Sequence, residues 1–115
     1  MSAFDLDGFR AVVEARDVER WTAFYDADAE WIEYRHADPP RAPNVMRGHD
    51  VIRRFVEGVA AAPLRIDTGN PVLDERRAAF TLTVTREDGR RIVENVILEH
   101  RDGLVTRQID VEAWD

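Results

Sequence analysis

TLTVTREDGRRIVENVILEHRDGLVTRQIDVEAW, residues 81–114, decides the class of fold. β-Branched and apolar residues alternate with polar ones on both sides of Glu87-Asp88-Gly89-Arg90. Asp-Gly is a strong hairpin signal, because both residues tolerate positive φ. A second break, Arg101-Asp102-Gly103, reads as a longer loop with Gly103 in the left-handed position. Strands are expected at 77–87, 90–100 and 104–113, with another at 64–74. No helical crossover fits between them, so they pair antiparallel.

A two-residue turn at Asp88-Gly89 sets Leu82 opposite Asn95. One face then carries Phe80, Leu82, Val84, Val93, Asn95 and Ile97. The other carries Thr81, Thr83, Thr85, Ile92, Glu94, Val96 and Leu98. The first face is the core side, and Asn95 is its one polar member. A buried amide without a partner costs about 1–3 kcal/mol, so Asn95 is expected to bond a neighbour, water or a ligand. In the last strand Val105, Ile109 and Val111 form an apolar set, and Gln108, Asp110 and Glu112 a polar one. Alternation alone turns the apolar set inward; a one-residue change where the Gly103 loop closes reverses it.

Upstream the period changes. Phe9, Val12 and Val13 recur at helical spacing within 4–15, and Asp17 caps a second helix over 17–26 with Val18, Trp21, Phe24 and Tyr25 on one side. A third helix over 49–61 carries Val51, Ile52, Phe55, Val56 and Val59, and Pro63 ends it. Between them AEWIEYRH reads as a strand at 29–36 with charge on both faces, Glu33 and Arg35 on one and Glu30 and His36 on the other. Pro39, Pro40 and Pro43 make 37–47 a loop. Helices followed by an antiparallel sheet give an α+β fold, helices packed on one face.

The totals set outer bounds. One domain fits 115 residues, and 44% hydrophobic with 34% charged residues describes a soluble globular chain. A net charge of −7 argues against nucleic acid, and no apolar run is long enough for a membrane span. All 16 cationic residues are Arg, so lysine Schiff-base chemistry is excluded; the absence of cysteine excludes disulfides and thiolate metal sites. The acidic N-terminus does not resemble a signal peptide, and a cytoplasmic location is expected. His36, His49 and His100 lack paired ligand spacing, so neither a metal nor another cofactor is expected.

Three stretches, ARDVERWTAFYDADAEW, MRGHDVIRRFV and ILEHRDGLVTRQIDVEAWD, carry a resemblance that covers nearly the whole chain. It resembles the NTF2-like superfamily, and within it the SnoaL-like branch of polyketide cyclases and ketosteroid isomerases. The resemblance implies a cone-shaped α+β fold in which about three helices close a strongly curved sheet over an apolar pocket. It places Glu33 where the isomerases carry a carboxylate base and Asn95 where they carry an oxyanion-hole aspartate. It also turns Gln108 and Asp110 toward the pocket, Asp110 being nearest to the acid/base aspartate of the cyclases. The isomerases' oxyanion tyrosine falls at Phe9, which has no hydrogen to donate.

The expected activity is cofactor-free isomerisation, cyclisation or dehydration of an apolar, carbonyl-bearing small molecule. Glu33 or Asp110 moves the proton, and Asn95 or Tyr34 orients the oxygen. Phe24, Trp31, Tyr34, Met46, His49, Phe55 and Phe80 are the expected ligand-binding residues. The alternative is a non-catalytic protein that binds a small hydrophobic ligand, or a dimerisation module. The family also implies a homodimer through the outer sheet face, for which Ile92, Val96 and Leu98 would serve. Plainer roles stand beside these: Glu33 paired with Arg35, Asp110 exposed or paired with Arg107, His36 at the surface or gating the mouth, His49 as a cap, and His100 exposed.

Overall fold

A computed structural model of the chain describes residues 3–115. The elements are α1 (Leu6–Ala15), α2 (Val18–Thr22), β1 (Tyr25–Tyr34), β2 (Asn44–Arg47), α3 (His49–Ala61), β3 (Leu64–Leu73), β4 (Arg77–Arg86), β5 (Arg91–Arg101) and β6 (Leu104–Trp114). Six strands form one curved sheet in the order β2-β1-β6-β5-β4-β3; β1 runs parallel to β6 and every other pair is antiparallel. The helices cover one face, α1 against β3 and α3 against β1. This is the expected α+β cone. No helix among the described residues is long and apolar enough to cross a membrane.

Local chemistry accounts for the helix starts. Asp5 Oδ1 accepts from Gly8 N at 2.9 Å and Asp17 Oδ1 from Arg20 N at 3.3 Å, satisfying amides that have no partner inside their helices. α3 begins at Gly48, whose φ of +88° suits glycine, and its stripe buries Ile52 and Val56 completely. α2 stops at Thr22 instead of continuing to 26. The backbone at Phe24 and Tyr25 pairs with Val105 instead, and this tertiary pairing overrides the helical spacing of the side chains. The expected loop over 37–47 is shortened too. Asn44–Arg47 contains no proline and adds to the free edge of β1 as β2.

The turns differ from expectation in a paired way. The β4–β5 connection has three residues, Glu87-Asp88-Gly89, closed by Gly89 N to Arg86 O and Arg86 N to Arg90 O, with Gly89 at φ +85°. The β5–β6 connection has two, Asp102 and Gly103, both at positive φ, with Arg101 opposite Leu104. The longer loop was expected at the second site and the shorter at the first. The extra residue moves β5 by one position, so Leu82 faces Glu94 rather than Asn95 and Phe80 faces Val96. Each β5 side chain therefore takes the opposite face from the one alternation assigned: Val96 and Leu98 are buried at 1% and 0%, while Val93 and Ile97 are exposed.

β6 reverses by a different device. Its register against β5 shifts between Glu99 and His100, so Val105 and then Gln108 and Asp110 all turn inward while Val111 is exposed. His100 is also buried rather than exposed. Its ring stacks on Phe4 at 4.9 Å, and Nε2 lies 3.1 Å from Asp74 O.

Candidate functional site

The concave face encloses a cavity of ≈ 220 Å³ whose wall is aromatic and aliphatic on the helix side and acidic on one side of the sheet. Phe9 and Val13 of α1, Trp21 of α2, and Phe55 and Val59 of α3 close it from above. β3 and β4 add Leu64, Ile66, Phe80, Leu82 and Val84. Three neighbouring strands supply carboxyls. Parallel pairing sets Glu33 of β1 beside Asp110 of β6, and antiparallel pairing sets Glu94 of β5 beside Glu112 of β6. Side chains of alternate residues share a strand face, so all four reach the same wall.

Asp110 is the deepest of the four at 1% exposed. Trp31 Nε1 donates to its Oδ2 at 2.7 Å and Gln108 Nε2 to its Oδ1 at 3.0 Å. Gln108 Oε1 in turn accepts from Tyr25 Oη at 2.5 Å, and Tyr25 Oη accepts from Trp21 Nε1 at 3.3 Å. Burial pushes the Asp110 carboxyl up to about 7; the two N–H donors act against that rise and the nearby Glu33 charge adds to it. Glu94 is pushed up to about 10, first by burial and then by the charges of Asp110, Glu112 and Glu33. Glu112 rises to about 7 by burial, against the effect of a 2.7 Å bond from Trp114 Nε1. At neutral pH the site therefore holds a carboxyl that keeps its proton beside others near their midpoint.

Glu33 is buried at 5% and lines the cavity, but it forms no salt bridge with Arg35. Its Oε1 accepts from Asn44 Nδ2 at 2.9 Å, while Arg35 binds Asp38 through two nitrogens at 2.6 and 3.3 Å. Asp110 is likewise neither exposed nor paired with Arg107, which bonds Glu99. Glu33, Asp110 and Glu112 each offer an oxygen within 4.8 Å of the others, a spacing that could hold a cation. Indole or amide N–H groups already occupy oxygens on all three, and such donors favour the charged carboxylate.

Of the expected ligand-binding residues, Trp31, Phe55 and Phe80 line the cavity. Trp31 is fixed by Phe55 edge-on at 5.0 Å and by Tyr25 stacked at 5.8 Å. Phe24 instead packs against Phe4 and Phe9, outside the cavity. Tyr34 is on the outer face, because it follows the inward Glu33 by one residue. Met46 is buried on β2 opposite Trp31 without reaching the cavity, and His49 turns away to place Nε2 2.9 Å from Thr22 O. Asn95 is exposed on the outer face, for the loop-length reason above, and is not part of this site. His36 is exposed but its ring lies tilted against Trp114 at 4.3 Å, beside the cavity wall.

Glu94 and Glu112 are the members that sequence reading missed. The only signal for Glu94 was a loop whose length Asp88-Gly89 does not fix; for Glu112 it was the polar set Gln108, Asp110 and Glu112 itself.

Residues 6–108 match the SnoaL-like domain family. The chain belongs to that family. Among solved structures, this SnoaL-like domain is similar to a Kribbella flavida protein assigned provisionally as a ketosteroid isomerase (23% identity, 95% of this chain and 73% of that one, TM-score 0.76). It is also similar to an NTF2-like protein of unknown function from Mesorhizobium loti (14% identity, 91% and 84%, TM-score 0.79) and to a protein from Sphaerobacter thermophilus (21%, 93% and 91%, TM-score 0.70). At these identities the likeness is one of fold. No curated protein matches the SnoaL-like chain.

Proposed function

We propose that the chain is a cytoplasmic, cofactor-independent enzyme that moves a proton next to the carbonyl of a small apolar molecule, in an isomerisation, cyclisation or dehydration. The observation that carries this reading is the pairing of unlike carboxyls in one largely apolar cavity: Asp110, held by two N–H donors, and Glu94, kept protonated by burial. Two carboxyls whose surroundings push them apart divide the roles of base and acid. The Asp110 carboxylate takes the proton from the carbon next to the carbonyl, and the C–H electron pair forms the enol double bond. The carbonyl oxygen receives the proton of Glu94, and reversing both transfers at another carbon returns the two groups to their starting states. Asn95 has no part in this, and Glu94 takes the place it was expected to fill. The cavity volume of ≈ 220 Å³ lies below the roughly 300–1,000 Å³ of sites for drug-sized ligands, so the substrate is compact.

Deuterium exchange at the α-carbon of small cyclic ketones, followed by NMR, tests the proposal. The wild type should exceed buffer, and Asp110→Asn should lose about 10²–10⁴-fold of that rate, the usual worth of a general base. Equal rates for the two proteins would refute the catalytic reading. The mostly apolar wall favours a second reading, simple binding of a hydrophobic ligand. It predicts ketone binding with no exchange. In either case the partner chain is a second copy, meeting this one across the outer sheet face.

A further inference from the structure

Along the cavity wall Trp21, Gln108 and Asp110, with Tyr25 behind them, form a single file of hydrogen bonds. Each link has a sense set by chemistry. The Trp21 indole can only donate, so the Tyr25 oxygen accepts from it and its own hydrogen is left for Gln108 Oε1. With Oε1 engaged, Gln108 has only its NH₂ to offer Asp110. Turning the amide over would bring two donors onto the Tyr25 oxygen, strand the buried phenol hydrogen, and set a carbonyl oxygen against a carboxylate. Tyr25 itself is 4% exposed, and burial raises its hydroxyl well above its usual range, so the hydrogen stays in place at any working pH.

We propose that Trp21, Tyr25 and Gln108 are positioning residues that form a one-way relay, whose task is to keep an N–H facing Asp110 and so hold the negative charge on that carboxyl rather than on its neighbours. The groups that compete for the proton are Glu33 of β1, Glu94 of β5 and Glu112 of β6; Arg35, past the end of β1, is the cation on the same wall. Helices α1 and α3 and strands β3 and β4 present only apolar side chains to the cavity. Glu94 receives no donor comparable to the two on Asp110. The relay therefore contributes to the difference between these two carboxyls, beside the Trp31 indole and the hydrogen bond between Glu94 and Asp110 themselves. Its use in a reaction rests on the acid–base role of Asp110, but its effect on that carboxyl does not.

The test follows the Asp110 carboxyl carbon by NMR through a pH titration of the ligand-free protein. Tyr25→Phe frees Gln108 to turn over and removes support for the charged form. The Asp110 midpoint should rise by about one pH unit, the size expected for loss of one hydrogen bond to a carboxylate. Trp21→Phe, one link further back, should move it in the same direction by less. Gln108→Leu removes the N–H outright and should raise the midpoint even if Tyr25→Phe does not fold. An unchanged midpoint in folded Tyr25→Phe overturns the relay, including the case in which Gln108→Leu alone shifts it. A raised midpoint without ketone exchange in the wild type supports the relay and removes only the acid–base reading.

Discussion

Glu94 and Asp110 make the stability of the molecule depend on pH in a direction opposite to that of ordinary salt-bridged acids. Both folded-state values lie above those of the unfolded chain, as does that of Glu112. A raised carboxyl binds its proton more tightly when folded, so its stabilising contribution is complete below the unfolded value and lost as pH rises through the folded one. All three groups act between about pH 4 and 7, and Glu94 alone continues to about 10. The melting temperature should therefore be lower at about pH 9 than at about pH 5. Glu94→Gln keeps the shape without the titration, so the fall should be smaller and the variant should melt above the wild type at the alkaline end. A wild-type curve that rises over the same range would contradict the assignment of raised values. Asp110→Asn, by contrast, should slow the proposed proton exchange by the factor given above while leaving the fold intact, since an amide retains one acceptor for the Trp31 indole.

The arrangement of the site was decided by connections one residue long. Five of the six strands and all three helices could be read from periodicity, because β4 repeats every second residue and α3 repeats on one side of a helix; β2, inside the expected loop, could not. The inward turn of Asp110 was also legible, though only through family likeness; alternation pointed to Ile109 and Val111, and the bulge at Glu99 and His100 leaves no mark in composition. The exchange of Glu94 for Asn95 was not legible. Asp-Gly serves two- and three-residue loops alike, and the choice depends on how β4 and β5 pack rather than on the turn residues. This gives an element-scale test. Replacing residues 87–89 by a two-residue Asn-Gly turn should force β5 toward the other register, burying Asn95 and exposing Leu98. Losing the burial of one leucine costs about 1.5–3 kcal/mol, so the urea midpoint should fall clearly, while Gly89→Ala, which only strains a positive φ, should cost about 1 kcal/mol.

At the scale of the whole molecule, the outer sheet face is the surface left to explain. Val93, Ile97 and Val111 are 41–51% exposed there on the neighbouring strands β5 and β6, and Val45 is 39% exposed on the edge strand β2. In the proposed dimer these residues, and not the inward-facing row Ile92, Val96 and Leu98, would form the contact. Ile97→Arg with Val111→Arg should convert a dimer to a monomer by sedimentation or light scattering without moving the Asp110 titration. A wild type that sediments as a monomer at high concentration would rule out that assembly.

The parallel contact of β1 with β6 joins the earliest strand to the last. Glu33 meets Asp110 only after a loop of more than seventy residues has closed, so the acidic wall depends on one of the long-range contacts of the fold. During synthesis β1 must wait, with one edge unpaired, until residues 104–114 have left the ribosome. A chain halted before β6 emerges has its helices and the β3–β5 hairpins but lacks Gln108, Asp110 and Glu112, and with them one side of the cavity.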